Sequence, residues 1–364
     1  MNTSNRIISI DVFRGLTIAA MILVNYPGSY ENTYAFLLHA HWNGIAPADF
    51  IFPFFIFIVG VSISLSFTKQ MTAGKPWKEM VQKIIIRALK IYAIGFFIHY
   101  LPNFDFSFFD FFGVLQRIAI VYMVCALLFI FTNWKLQIYI LVGILLVYWI
   151  TMSFIPTSDF VAGTFEPGLN FAAWFDRLFF SAEMLGKHGW NSEGLFSTFT
   201  SIGTGITGML AGQLIIRQKL KEEEKTVIWL FTAGTLFVIA GALWDWQFPI
   251  NKKIWTSSFV LYTSGWASIV LALSLWLIDF MDFKNNTIAR FGIIFGSNAI
   301  AIYVMADVFE TIYKYTHIHD IVYFGLTDVG LTVQNASLIW ALISVSSCFL
   351  VAFLLYRKKI FIKL

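Results

Sequence analysis

The stretch HAHWNGIAPADFIFPFFIFIVG, residues 39–60, sets two histidines, a tryptophan and one aspartate directly ahead of an apolar run. Asp49 comes ten residues after His39, and from Phe50 the chain turns almost wholly apolar. The run continues through VSISLSF, long enough for the roughly 20 residues that a helix needs to cross the hydrocarbon core. An imidazole and a carboxylate at the mouth of a membrane helix therefore pose the functional question together with the fold.

The rest of the chain agrees with this stretch. Of its 364 residues 58% are hydrophobic and 13% charged, against about 25% charged in soluble domains. The mean hydropathy is +0.74. The fold class that follows is all-α, a polytopic integral membrane helical bundle with the lipid bilayer as its main partner. An aromatic content of 18%, including 40 Phe, suits lipid-facing and interfacial surfaces. The net charge of +4 is no nucleic-acid signal, because its sense lies in where the basic residues fall. Cys125 and Cys348 sit in apolar runs, which argues against a disulfide framework. The first apolar run carries Asp11 and Arg14 and no small-residue cleavage site follows it, so it reads as a retained helix.

Ten segments have the length and polarity of spans: 7–24, 49–68, 83–101, 108–131, 134–155, 194–218, 226–243, 256–280, 288–311 and 334–356. The fourth holds Arg117 and the ninth Asn298. Sixteen of the 25 Lys and Arg fall in one set of connecting segments, five in the opposite set, and Arg14, Arg87, Lys90 and Arg117 within spans. That bias predicts cytoplasmic termini, with residues 25–48 and 156–193 on the other face. Within the latter, FAAWFDRLFFSAEML, 171–185, predicts an amphipathic interfacial helix. No internal repeat is visible, and residues 1–364 read as a single domain.

Ionisable groups inside a membrane are expensive, hence usually paired or functional. Asp11 and Arg14 share a helix face as an orienting pair, or Arg14 meets an anionic ligand. Arg87 and Lys90 either snorkel or join the same basic patch. Arg117 needs a partner, for which Asp110, Glu193 and Glu310 are the candidates; a structural ion pair is the plainer reading. Gly203, Gly205, Gly208 and Gly212 in the sixth span suit helix packing, or close approach of a ligand to bare backbone.

Several motifs, in order, carry a family resemblance: DVFRG (11–15), VNYPG (24–28), HAHWNG with ADFIFPFFIFIVGVSISLS, GVLQRIAIVY (113–122), SEGLFST (192–198), NKKIW (251–255) and GSNAIAIYV (296–304). Together they resemble the heparan-α-glucosaminide N-acetyltransferase family and its bacterial amino-sugar-associated relatives. The resemblance implies a membrane acyltransferase that takes acetyl from cytoplasmic acetyl-CoA, a co-substrate, and places it on a glucosamine amine across the membrane. It implies a homodimer in a bacterial inner membrane and no metal. The family's catalytic histidine precedes the Trp of its W-N-G motif by three residues, which maps to His39, while His41 has no matching role. Asn25 and Asp49 correspond to the family's other catalytic positions. The chain departs from the pattern in two places. Three extra residues separate Asn25 from His39, and the family's Asp-Pro-Glu-Gly reads NSEG, with Asn191 and Ser192 before Glu193.

N-acetylation needs a thioester carbonyl, a free amine and a destination for a proton. His39 serves as general base, or it attacks the thioester and carries the acetyl group. Asp49 holds the imidazole tautomer, caps the second helix, or does both. Asn25 donates to the oxyanion or makes a turn. Trp42 and Asn43 stack on and hydrogen-bond the sugar, with Glu193 and Arg117 as further substrate contacts, or Trp42 belongs to the aromatic belt. Arg14, Arg87, Lys90 and Asn298 form the candidate coenzyme rim. An amino-sugar transporter and an O-acyltransferase of an envelope polysaccharide are the alternative readings.

Overall fold

The computed structural model describes residues 7–100, 111–181, 183–186, 188–219 and 223–362. Arg6 and Asp110 lie outside the described residues. Regular structure among the described residues is helical, apart from one isolated bridge between Glu166 and Leu169. In chain order the helices are α1 (Ile8–Asn25), α2 (Ile51–Thr72), α3 (Trp77–Tyr100), α4 (Val114–Phe131), α5 (Trp134–Phe154) and α6 (Phe171–Arg177). They continue with α7 (Leu195–Lys219), α8 (Glu223–Trp244), α9 (Ser257–Ser274), α10 (Thr287–Gly296), α11 (Ala299–Tyr315), α12 (Ile318–Asp328) and α13 (Val333–Arg357). A π-helical segment, Leu275–Phe280, prolongs α9.

The chain forms two compact units. The first comprises residues 1–40, 46–55 and 273–364. In it α1 packs against α10, with α13 beside both. The residue before α1 is Ile7, which has no capping side chain. The Asp279 carboxylate supplies the cap from a distance, accepting from the N–H groups of Ile8 (3.2 Å) and Ser9 (3.1 Å). Two otherwise unpaired N–H groups are thereby satisfied where the helix dipole favours an anion. Glycine sets the closeness of α1 and α10. A Cβ on Gly15 would lie 1.9 Å from the Gly292 carbonyl oxygen, and one on Gly296 2.0 Å from that of Asp11.

The second unit comprises residues 41–45 and 56–272. Its centre is α7, which packs on α4, α5, α6 and α8. The sixth-span glycines serve packing: a Cβ on Gly208 would meet the Phe57 carbonyl oxygen at 2.0 Å, and the facing Gly60 would meet that of Gly205 at 2.1 Å. Small residues of this kind let membrane helices approach backbone to backbone. Hydroxyls complete the contact, as where Ser64 donates to the Met209 carbonyl at 2.7 Å.

Among the described residues eight helices are long and apolar enough to cross a membrane, and nine if the pair α10–α11 counts as one span. Three expectations change. The third expected span is a helix, α3, but Lys78, Glu79, Lys83, Arg87 and Lys90 leave it too charged to meet the same test. The ninth is broken: α10 and α11 meet at 82°. Ser297 and Asn298 stand at the break, residue types whose side chains compete with a helix for its backbone. The expected interfacial helix over 171–185 is α-helical only to Arg177. It buries Phe171, Ala172, Ala173 and Asp176, and Phe171 and Phe175 pack on Phe196 of α7 at 5.1 and 5.0 Å. Aromatic interlocking holds this helix inside the unit.

The glycine contacts predict an asymmetry between positions. Gly15→Leu drives a side chain into the α10 backbone, and overpacking costs about 1–3 kcal/mol or more. Thermal unfolding in detergent should show a large loss of stability or of folded yield. Gly143→Ala on α5, where a Cβ meets nothing within 4 Å, should leave stability unchanged or raise it by about 0.5–1 kcal/mol.

Candidate functional site

The centre of the candidate site is a short 3₁₀ turn, Pro47–Phe50, that leads into α2. Pro47 has the φ that a first turn requires and no N–H to leave unpaired. Asp49 is the third residue of that turn and is only 1% exposed. One carboxylate oxygen accepts from the N–H groups of Ala46 (2.9 Å) and Ala40 (3.0 Å). The other faces His39 Nδ1 at 2.8 Å. Asp49 thus ties Ala40 and Ala46 to the turn and faces the imidazole at once.

The arrangement fixes the tautomer. An ionised carboxylate only accepts, so Nδ1 carries the proton and Nε2 of the neutral ring holds the lone pair. The His39 side chain is 38% exposed while its partner is buried. A base held from behind and open in front suits proton transfer, and equally suits attack on a carbonyl carbon.

Asn25 is the last residue of α1, half-buried, and its carbonyl accepts the Tyr30 hydroxyl. The following turn is fastened to the same unit: Gly28 N–H donates to the Ser337 carbonyl at 3.2 Å, and the Gly28 carbonyl faces His319 Nε2 at 2.9 Å. Tyr26 hydrogen-bonds Asp307, and burial first, then the Asp307 charge, pushes its phenol well above the ordinary range. Among the described residues no hydrogen bond joins the Asn25 side chain to the His39–Asp49 pair.

The WNG segment, residues 42–44, belongs to the second unit. The Trp42 indole donates to the Phe165 carbonyl at 2.8 Å and meets Trp190 edge-on at 5.1 Å. Trp42 is buried, so its ring is packed within the unit rather than displayed at a lipid interface. Gly44 N–H donates to the Ile250 carbonyl at 2.8 Å, and a φ of +96° makes glycine the natural residue there. Asn43 is exposed, and its side-chain oxygen accepts from the Asn251 amide at 3.1 Å. Asn251 is fully buried and also caps its own turn, accepting from Lys253 N–H (2.8 Å) and Ile254 N–H (3.2 Å). The NKKIW motif contains Asn251, yet residue type alone gave it no role.

Among the described residues Arg117 makes no direct ion pair, although the Glu193 and Asp176 charges act on it. It is 1% exposed, but among the described residues its hydrogen bonds run to the Ser192 carbonyl (2.8 Å), Thr198 Oγ1 (3.3 Å) and Ser197 Oγ. The Trp255 ring covers it at 4.9 Å. The start of α7 brings hydroxyls and a carbonyl to the guanidinium where a carboxylate was expected. Glu310 is a residue of the first unit, as are its neighbours Asp307, Lys314 and His319.

The expected coenzyme rim is divided. In the first unit Arg14 pairs with Asp11 at 3.2 Å and reaches the Gly296 carbonyl at 3.5 Å. Asn298 is buried, and its amide is taken by the chain beyond α13, donating to the Ile360 carbonyl (3.0 Å) and accepting from Ile362 N–H (2.7 Å). In the second unit Arg87 and Lys90 are exposed, and the Arg87 guanidinium stands 4.8 Å over the Tyr122 ring. Among the described residues no cluster of His, Cys, Asp or Glu has the grouping of a metal site.

One carboxylate went unread in the sequence. Asp176 is 2% exposed and accepts from the N–H groups of Phe196 (2.9 Å) and Leu195, which start α7. It is a cap supplied from another helix. Its carboxylate explains the glycine of NSEG: a Cβ on Gly194 would lie 1.9 Å from Asp176 Oδ2.

These features define a polytopic helical membrane protein in which a histidine is held by a buried aspartate. The family model described as heparan-alpha-glucosaminide N-acetyltransferase, catalytic, matches residues 6–235, more than half of the chain. The chain belongs to that family. It is 26% identical to the heparan-alpha-glucosaminide N-acetyltransferase of Mus musculus over 420 aligned residues, which cover 100% of this chain and 61% of the relative. It is 27% identical to that of Homo sapiens over 416, covering 99% and 60%. The chain thus spans about three fifths of the length of these curated relatives.

Burial pushes the Asp176 carboxyl up to about 6, partly offset by the N–H groups of Phe196 and Leu195 and by the Arg117 charge. An unfolded aspartate titrates near ~3.9. Between these values the folded chain holds more protons, so stability should fall as pH rises from about 4 to about 6, by up to about 3 kcal/mol, and then level off. Asp176→Asn should abolish that slope in thermal unfolding followed across pH 4–7.

Proposed function

We propose that this chain transfers an acetyl group from acetyl-CoA to the amine of glucosamine or a glucosamine-containing saccharide, with His39 at the reacting centre. The observation that carries this reading is the His39–Asp49 pair. A buried carboxylate with three donors holds the imidazole so that Nε2 is the basic atom.

The amine nitrogen attacks the thioester carbonyl carbon and its proton passes to His39 Nε2. The tetrahedral adduct collapses, the C–S bond breaks, and the departing thiolate takes up a proton. Asp49 stabilises the imidazolium that forms, as a buried orienting carboxylate does in other base–carboxylate pairs. Asn25 is the proposed oxyanion donor. In the covalent variant Nε2 itself attacks the thioester and passes the acetyl group on to the amine. Both variants use the same nitrogen and the same orienting carboxylate.

The names of the relatives support the acceptor class. The basic bias of the connecting segments supports cytoplasmic termini, hence a donor that enters from the cytoplasm and an acceptor on the far face. On this reading Arg14 in the first unit, and Arg87 and Lys90 in the second, are each candidate contacts for the coenzyme phosphates, and the chain works as a homodimer in a bacterial inner membrane.

In an acetyl-transfer assay with purified protein, His39→Ala should lower kcat by about 10²–10⁴-fold, the usual contribution of a positioned base. Asp49→Asn should also impair kcat, since the amide can present an N–H where Nδ1–H needs an acceptor. Near wild-type turnover of His39→Ala would remove His39 from the chemistry. N-acetylglucosamine has no free amine and should be inert as acceptor; its acetylation would indicate O-acyl transfer instead.

A further inference from the structure

In the first unit the turn that follows α1 is held by two helices. Its Gly28 N–H donates to the Ser337 carbonyl at 3.2 Å and its Ser29 N–H to Ser337 Oγ at 3.1 Å, both on α13. From α12 comes His319, whose Nε2 stands 2.9 Å from the Gly28 carbonyl. The packing there is close: a Cβ on Gly28 would lie 2.7 Å from the Tyr323 ring. That ring lies parallel to His319 at 5.8 Å.

The second nitrogen of the same ring also meets an acceptor, with Nδ1 2.9 Å from Asp320 Oδ1. A carbonyl and an ionised carboxylate only accept, so each contact needs an N–H on the ring. The neutral imidazole has one N–H and satisfies one contact; the imidazolium satisfies both. Asp320 is 54% exposed, and the hydrogen bonds of His319 and then His317 hold its carboxyl below the usual carboxylate range. It is therefore the accept-only form that faces the ring. The other charged groups near the ring are His317, which shares Asp320 at 3.4 Å, and Glu310 of α11, on which His319 and Lys314 both act. The turn brings the Tyr26 hydroxyl, bonded to Asp307, and the Tyr30 hydroxyl, bonded to the Asn25 carbonyl. From α13 comes Trp340, perpendicular to His319 at 4.8 Å. Aromatic neighbours of this kind favour a cation.

We infer that His319 is a positioning residue that clamps the turn after α1 as an imidazolium and slackens it as the neutral ring. Charged, the ring ties the Gly28 carbonyl to Asp320. Neutral, it turns a lone pair on one of the two acceptors, and that bond becomes a repulsion. The sign of the pH dependence follows. The clamp is complete at low pH, where the ring carries both protons, and is lost as pH rises and one proton leaves. Asn25 stands three residues before Gly28, at the end of α1, and its carbonyl is bonded to Tyr30 within the same turn. The clamp therefore bears on where the proposed oxyanion donor sits. That last step rests on the reaction proposed above; the clamp itself does not.

Hydrogen exchange of the full chain in detergent, expressed as protection factors over peptides that cover residues 26–30, tests the clamp without any substrate. The bonded Gly28 and Ser29 N–H groups report its opening. Their protection should fall about tenfold across about pH 5–8, the range in which histidine changes charge, as one hydrogen bond to a charged group is lost. Asp320→Asn is the deciding variant. Its amide can donate to Nδ1 while the neutral ring still donates from Nε2 to Gly28, so protection should stay high and lose its pH dependence. His319→Ala should show low protection at every pH. A flat wild-type profile, or a slope that survives in Asp320→Asn, overturns the clamp. In parallel kinetics His319→Ala should lower kcat about tenfold with KM little changed, within what a misplaced group costs. Asp320→Asn should hold its kcat to higher pH than the wild type. An unchanged kcat in His319→Ala overturns the positioning role. A pH-dependent clamp in a chain that transfers no acetyl group upholds the clamp and sinks only the acetyl-transfer reading.

Discussion

Asp49 is the residue on which the geometry of the His39 turn depends. A carboxylate that is almost wholly removed from solvent is tolerable only when its lone pairs are filled. Two backbone N–H groups and one imidazole N–H fill them here. The donors come from residues 39, 40 and 46, so one buried charge gathers both ends of the connection before α2 and sets the ring orientation of His39. Loss of the carboxylate would therefore disturb local backbone and tautomer together.

Within each unit the helices are joined mainly by close backbone contact and by hydroxyls. In a bilayer the lipid chains are as apolar as the side chains, so helix association draws on packing and interhelical hydrogen bonds. Gly15 against α10, and Gly60 and Gly208 in the contact of α2 with α7, bring carbonyl oxygens to distances that no Cβ would permit. Ser, Thr and Tyr hydroxyls fasten helices directly, as where Thr207 meets Ser264 at 2.8 Å and Ser257 meets the Leu145 carbonyl at 2.8 Å.

Charged residues inside the helical framework divide into two kinds. Arg14 and Asp11 pair within a single helix face, and Arg14 also reaches the Gly296 carbonyl. Arg117 is instead wrapped by the start of α7 and by the Trp255 ring, and that start is held by Asp176. The NSEG turn thus has a structural logic of its own: Ser192 supplies a carbonyl, Gly194 leaves room for Asp176, and Glu193 lines a small cavity.

Much of this was legible in the sequence because membrane spans leave a one-dimensional signature. Long apolar runs, the loop bias of Lys and Arg, and the ordered motifs gave the all-helical class, most of the helix positions and the family. The spacing of Asp11 and Arg14 gave their pairing, since i, i+3 on a helix is a local relation. Long-range partners had no such trace. That Asp176 caps α7, that Asn251 meets Asn43, that Asn298 binds the chain beyond α13, and that Arg117 takes hydroxyls instead of a carboxylate depend on segments distant in the chain meeting in space. The break at Ser297–Asn298 was hidden for the same reason. Hydropathy reports which residues leave water, whereas the direction of a helix and the partner of a buried polar group are settled only by what packs against them.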